Sequence, residues 1–165
     1  DILVGDGLGA GPQPGEGPDA VTRVSLEHAD DGPAATLQLG HDALRSTRGA
    51  AAAIAAIDGE RGIVTYGGGG NIAGSVLGGA SRRSMVSHNG TLGHQMRTVG
   101  EFTYPWSHEA LLVLHSDGLV SHWSLDAYPG LGARDPSLIA AILYRDFTRG
   151  RDDVTVVVAK AGTAA

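Results

Sequence analysis

Three short apolar runs, each abutting carboxylates, constrain this chain more than any other feature. Ile2-Leu3-Val4 leads into Asp6-Gly7. Leu111-Leu112-Val113-Leu114 leads into Asp117-Gly118. Asp152-Asp153 opens the run Val154-Thr155-Val156-Val157-Val158. Runs this short, rich in Val, Ile and Leu and bounded by Gly or charge, predict buried strands. If the three are neighbours in one sheet, their carboxylates gather at one edge. Such hard oxygen donors suit Mg²⁺ or Mn²⁺ better than Zn²⁺. A glycine directly after Asp6 and Asp117 lets the backbone turn sharply and brings a carbonyl toward the same ion.

The rest of the chain supplies further strands and a few helices. The Gly/Pro-rich stretch 8–18 predicts a loop. Helices are expected over 19–30 and 33–48, the second with Pro33 in its first turn and Leu37, Leu39, Ala43 and Leu44 as its apolar face. Gly49 would end it. Residues 50–57 have helical propensity, since alanine favours it. They are read as strand because Asp58-Gly59 follows and Ile63-Val64-Thr65-Tyr66 answers as a hairpin partner. Gly67 to Gly70 predicts a turn. Strands are expected over 71–77, 84–87, 96–103, 109–116 and 153–159. Residues 136–149 predict a helix with Leu138, Ile139, Ile142 and Leu143 inward.

Composition narrows the function classes. The chain has 165 residues, enough for one domain with one sizeable core. No apolar run approaches the ~20 residues that span a bilayer, and no secretory signal is visible. Without cysteine, disulfides, zinc fingers and thiol catalysis are excluded. A net charge of −6 argues against a general nucleic-acid binder.

Other motifs have competing readings. Gly67-Gly68-Gly69-Gly70 lacks the Lys-Ser/Thr of a phosphate loop and precedes a strand, which favours a hairpin turn. Asn71 is either functional or bonded to that turn. His115-Ser116-Asp117 resembles a compressed triad, but three consecutive residues on a strand cannot converge as nucleophile, base and orienter. His88 and His94 are candidates for general acid or ligand, against a solvent-facing or turn-bonded role. Arg145, Arg149 and Arg151 are either a phosphate clamp or a solvated face. Trp106 and Trp123 read as packing. Asn89-Gly90-Thr91 matches a glycosylation sequon, which without a secretory signal is read as chance.

Asp6-Gly7-Leu8-Gly9, Asn71-Ile72, Ser87-His88-Asn89-Gly90-Thr91, His115-Ser116-Asp117-Gly118-Leu119 and Asp152-Asp153-Val154-Thr155-Val156 together resemble the PPM (PP2C-like) metal-dependent serine/threonine phosphatases. The likeness is to the SpoIIE/RsbX-like bacterial branch and runs from the first residue to about Lys160. The pattern departs from the family in places. Ala10 stands where the family's glycine-rich turn has His, and Pro12 to Pro18 interrupts the start of the next helix.

This resemblance implies an α+β fold, an α/β/β/α sandwich of two antiparallel sheets flanked by helices, with metals at one end. It implies one phosphatase domain over 1–165, lacking the strand or strands that such domains carry before the first Asp-Gly. It further implies that two ions, Mn²⁺ or Mg²⁺, are held by Asp6, the Gly7 carbonyl, Asp117 and the Asp152-Asp153 pair. Asp6 would bridge the ions, and Asp6, Asp117 and Asp152 would be the catalytic carboxylates. Adjacent strand residues face opposite ways, so one of Asp152 and Asp153 should face the metals; the family pattern favours Asp152. The implied reaction is hydrolysis of phosphoserine or phosphothreonine in a protein partner. The implied setting is a cytoplasmic partner-switching stress or sigma-factor pathway, with a phosphorylated STAS-type antagonist as substrate and no membrane or nucleic-acid partner. The competing reading is a PP2C-like binding or regulatory module without catalysis. An aspartyl-phosphate hydrolase is disfavoured, because Gly5-Asp6-Gly7-Leu8 lacks the Asp-x-Asp pair that chemistry needs.

Overall fold

The structure is a computed structural model and describes residues 1–7, 16–79, 81–96, 99–150 and 153–162. In chain order the elements are β1 (Ile2–Gly7), α1 (Glu16–Glu27), α2 (Pro33–Ala43), β2 (Ala50–Asp58), β3 (Ile63–Gly69), β4 (Ala73–Gly78), β5 (Ser81–Met85), β6 (Glu101–Pro105), β7 (Leu111–His115), α3 (Pro136–Phe147) and β8 (Val156–Lys160). One-turn 3-10 helices sit at Ala29–Asp31 and Leu131–Ala133. The strands make two four-stranded sheets, ordered β1-β2-β3-β6 and β5-β4-β7-β8. Every strand pairing is antiparallel.

Three apolar clusters mark three interfaces between four layers. Val4, Ala51, Ala53, Ala55, Val64 and Tyr66 of the first sheet meet Ile72, Val76, Leu112 and Leu114 of the second. Ala50, Ala52 and Ile54 point the other way, against Val21 of α1 and Leu37 of α2. Leu111 and Val113 pack outward against Ile139 and Leu143 of α3. The order is therefore helices, sheet, sheet, helix, the α/β/β/α sandwich expected. Alternation along each strand divides its residues between two cores, since successive side chains point to opposite faces.

Several boundaries differ from expectation for local reasons. Helix α1 begins at Glu16 rather than 19. Pro18 lies in its first turn, where a missing N–H costs nothing because those donors lack intrahelical partners. Residues 8–15 of the expected loop, with Ala10, lie outside the described residues. Helix α2 stops at Ala43 because Thr47 closes a turn on the Leu44 carbonyl, by its N–H and its hydroxyl, both at 2.9 Å. Leu39 and Leu138, expected inward, are 38% and 46% exposed. The glycine run is not a hairpin turn. Gly67–Gly69 complete β3, and only Gly70, at φ +89°, leaves it. Close packing explains the glycines: a Cβ on Gly68 would meet the Tyr66 hydroxyl and Ser87 Oγ at 2.6 Å, and one on Gly69 would meet Met96 Sδ at 2.5 Å.

Tyr66 joins the two sheets through a buried chain of hydrogen bonds. Ser87 Oγ donates to the Ile72 carbonyl at 2.7 Å. The Tyr66 hydroxyl, 2.7 Å from Ser87 Oγ, is therefore the donor to it. Burial pushes the phenol up to about 12, opposed in part by the Ser87 hydrogen bond. A raised acid pKa favours the protonated form of the folded state, so the stability it carries is present below pH ~10 and is lost as pH rises through 12. In a phenolate absorbance titration Tyr66 should ionise near pH 12. Tyr66→Phe should remove that phase, lower the unfolding free energy by about 1 kcal/mol at neutral pH, and flatten the loss of stability between pH 10 and 12.

Candidate metal centre

Strand register brings the acidic segments to one end of the sandwich. Asp6 pairs with Ala51. Gly70, just past β3, lies against Ala51, since a Cβ on Gly70 would sit 2.6 Å from the Ala51 Cβ. From Gly70 the chain crosses to the second sheet, where Ala73 pairs with His115 and His115 pairs with Val156. The exits of β1 and β7 and the entry of β8 thus share one end. The Tyr104 hydroxyl of β6 accepts from the Val86 N–H, just past β5, at 2.9 Å. That puts edges β5 and β6 on one side and leaves β1 and β8 together on the other.

At that end the carboxylates are presented differently. Asp6 follows Ile2 and Val4 on the face toward the second sheet and is half-buried. Asp117 is exposed in the turn after β7, and Asp153 is exposed before β8. Asp152 lies outside the described residues. Among the described residues no group of three or more His, Asp or Glu is close enough to hold a metal ion. The donors nevertheless fit Mg²⁺ or Mn²⁺ in kind, as they are hard oxygens. The floor beside Asp6 is also small, being Ala51 and Gly70, and a Cβ at Gly70 would have no room.

The turn carrying Asp117 is strapped to the segment carrying Asp153. The Ser116 N–H donates to the Thr155 carbonyl at 3.1 Å. Its hydroxyl accepts from the Thr155 N–H at 3.0 Å and faces the Asp153 carbonyl at 3.4 Å. This hydroxyl replaces a backbone carbonyl in the ladder, which is why β8 begins at Val156 and not at 153. Asp153 therefore precedes the strand, and strand alternation does not decide between it and Asp152. A Cβ on Gly118 would strike the Asp153 carbonyl. On the other flank, the Arg149 N–H donates to the Gly118 carbonyl at 2.9 Å and the Val120 N–H to that of Phe147 at 2.9 Å.

Behind the turn lies a buried polar cluster that sequence reasoning did not single out. His115 Nδ1–H donates to the Ser116 carbonyl at 2.8 Å, and Nε2 accepts from Trp123 Nε1–H at 3.1 Å. This arrangement requires the neutral ring. Burial lowers the His115 pKa, with Arg82 and Arg149 adding to the effect and the Ser116 bond opposing it. Arg82 stacks its guanidinium 3.7 Å from the Trp123 ring centroid and donates to the Trp123 carbonyl and to Ser75 Oγ. Arg82 lies ahead of the strand expected over 84–87, and β5 in fact begins at Ser81.

The remaining candidates fall apart from the acidic turn or beside it. His94 Nε2 lies 2.9 Å from the Thr47 carbonyl, a turn-bonded role. His88 stacks on Phe102 and holds Gly68 and Gly70 through its backbone. Asn71 is exposed in the crossing turn. Arg145 is engaged by Asp146 at 2.7 Å through both Nε and Nη2, and this pairing, with the Tyr128 hydrogen bond, holds the Asp146 carboxyl at about 2. Arg149 stays beside the turn, and Arg151 is outside the described residues. Two described clefts, of about 350 and 260 Å³, border Trp106 and Ser107 at the opposite end of the sandwich.

The strap makes a direct prediction. In Gly118→Ala the obstacle to the new Cβ is backbone, so the turn and the Asp153 segment must separate. Urea unfolding should show a loss of about 1–3 kcal/mol. Gly59→Ala, at a site with no neighbour within 4 Å, should stay within about 0.5 kcal/mol of wild type.

No family model and no curated protein matches the chain by sequence. Solved structures do match in fold. A chain from work on the bacterial stressosome, described as a modular system adapted to control secondary messenger signalling, superposes with a TM-score of 0.86 at 26% identity, covering 96% of this chain and 83% of that one. RsbX in complex with magnesium gives 0.81 at 21% identity, covering 97% and 80%. The catalytic domain of the serine/threonine phosphatase PstP with two manganese ions gives 0.72 at 17% identity, covering 96% and 86%. With its two antiparallel four-stranded sheets and outer helices, this chain has the fold of the bacterial PP2C-type phosphatases.

Proposed function

We propose that this chain is a metal-dependent phosphoserine/phosphothreonine protein phosphatase. The observation that carries the reading is that the exits of β1 and β7 and the entry of β8, beside which Asp6, Asp117 and Asp153 stand, share one end of a PP2C-type sandwich. Asp6, the Gly7 carbonyl, Asp117 and the Asp152-Asp153 pair are the groups that would hold Mn²⁺ or Mg²⁺. Two such ions supply, when bound, activation of the attacking water and neutralisation of the phosphoryl oxygens. Phosphomonoesters have a very high uncatalysed barrier, and this scheme needs no protein nucleophile. It agrees with a chain that has no cysteine and whose His115 and Ser116 are already committed to buried hydrogen bonds. Arg149, whose backbone N–H donates to the Gly118 carbonyl, is the arginine we assign to a phosphate at this turn.

The substrate we propose is a phosphorylated STAS-type regulator of a partner-switching pathway in the cytoplasm. Support comes from the likeness to RsbX and to the stressosome-associated chain. No described helix is long and apolar enough to cross a membrane.

Hydrolysis of p-nitrophenyl phosphate with Mn²⁺ tests the reading. Asp117→Asn should lower turnover by more than roughly 100-fold, the upper end of what lost outer-sphere partners cost, with an unchanged melting curve. Wild-type turnover by that variant would remove Asp117 from the metal set. Asp152→Ala should be more damaging than Asp153→Ala; the reverse order moves the ligand to Asp153. No turnover and no stabilisation of the wild-type chain by Mn²⁺ would replace the phosphatase with a binding module.

A further inference from the structure

We infer that Ser116 is a positioning residue: its buried hydroxyl sets the separation between the Asp117 turn and the Asp153–Thr155 segment, and so the geometry offered to a divalent cation. The inference rests on the metal-dependent reading above and goes beyond it. Ser116 is only 1% exposed, yet it adjoins exposed Asp117. All its polar groups are used. The N–H and hydroxyl join Thr155, the hydroxyl also faces the Asp153 carbonyl, and the carbonyl accepts from His115. The β7–β8 ladder ends at the His115–Val156 pair, and beyond it the Asp153 carbonyl packs on Gly118 where no Cβ fits. A hydroxyl bridges that step, being both donor and acceptor. His115 makes the anchor rigid, since its other ring nitrogen is held by Trp123 Nε1 at 3.1 Å. The cation's carboxylates are thus spaced by a group that is not itself a ligand.

A purely structural serine and a positioning serine differ in what replaces them. Removing the hydroxyl should weaken metal binding even where the fold survives, whereas moving a methyl in or out should matter less. The experiment is calorimetric titration of Mn²⁺ into the whole chain as wild type, Ser116→Ala, Ser116→Thr and Ser116→Cys. Amide hydrogen exchange at Thr155 is read beside it in metal-free protein. Expected results are a Mn²⁺ dissociation constant raised about 10- to 100-fold in Ser116→Ala, near-wild-type affinity in Ser116→Thr, and faster Thr155 exchange in Ala than in Thr. If Ser116→Ala does not fold, the comparison passes to Thr and Cys, since a thiol is a weak hydrogen-bonding group; tight binding by Thr with weak binding by Cys supports the role. Equal affinity of Ala and wild type, or of Thr and Cys, overturns it while leaving the phosphatase reading intact. A wild-type chain that binds no Mn²⁺ overturns both.

Discussion

Burying both faces of both sheets is the constraint on which the rest of this structure depends. Edges β5 and β6 are mostly exposed, but at the centre of a four-layer sandwich neither sheet has a wet face, so the central strands are apolar on consecutive positions. Strand β2 meets that demand with small residues. Ala51, Ala53 and Ala55 face the second sheet while Ala50, Ala52 and Ile54 face the helices, all at 2% exposure or less. Small side chains on the first sheet then make room for large ones opposite, including Leu112 and Leu114. The glycines of β3 extend the same logic, as their missing Cβ positions are filled by Tyr66, Ser87, Leu37 and Met96.

With both faces dry, polar chemistry is confined to the strand ends or must be fully satisfied inside. Two buried polar chains obey this rule, because an unpaired buried donor or acceptor costs far more than a paired one gains; among the described residues His88 Nε2 is the exception, buried without a partner. Tyr66, Ser87 and the Ile72 carbonyl form one closed chain. Trp123, His115 and Ser116 form another, with Arg82 against the outer face of Trp123. The second chain ends at the acidic turn, so a buried network sets the backbone on which the exposed carboxylates stand.

Much of this was legible in the sequence, and what was not has physical causes. The runs before Asp6 and Asp117 are strands because their apolar character is continuous, as burial on both faces requires. The alanine run could be assigned to strand only through its neighbour, since propensity favours helix. Gly67–Gly69 misled because three strand glycines look like a turn until the side chains occupying their Cβ positions are known. The start of β8 was placed early because nothing in Asp152-Asp153-Val154-Thr155 reveals that a serine hydroxyl takes the Thr155 N–H. Ser116 itself was visible within the His115-Ser116-Asp117-Gly118-Leu119 motif and as part of a triad that strand geometry forbids. Its actual role depends on a partner 39 residues away.

The acidic end divides labour between backbone and side chain. A carboxylate buried without a partner is costly, and one buried with a partner is no longer open to a ligand. Exposing Asp117 and Asp153 avoids that cost but leaves their side chains free to wander. Here the neighbouring backbone supplies the order: Ser116, Gly118 and Leu119 are buried and tied to Thr155, Arg149 and Thr148 in turn, and the next N–H, of Val120, donates to the Phe147 carbonyl. Water then solvates the charges while the chain beneath them stays fixed. A group of hard oxygens held this way loses little freedom when a cation replaces the water, which is the advantage of preorganisation. Asp6 takes the inner position because the alternation of β1 carries Ile2 and Val4 into the core and leaves the next residue on that face at its mouth.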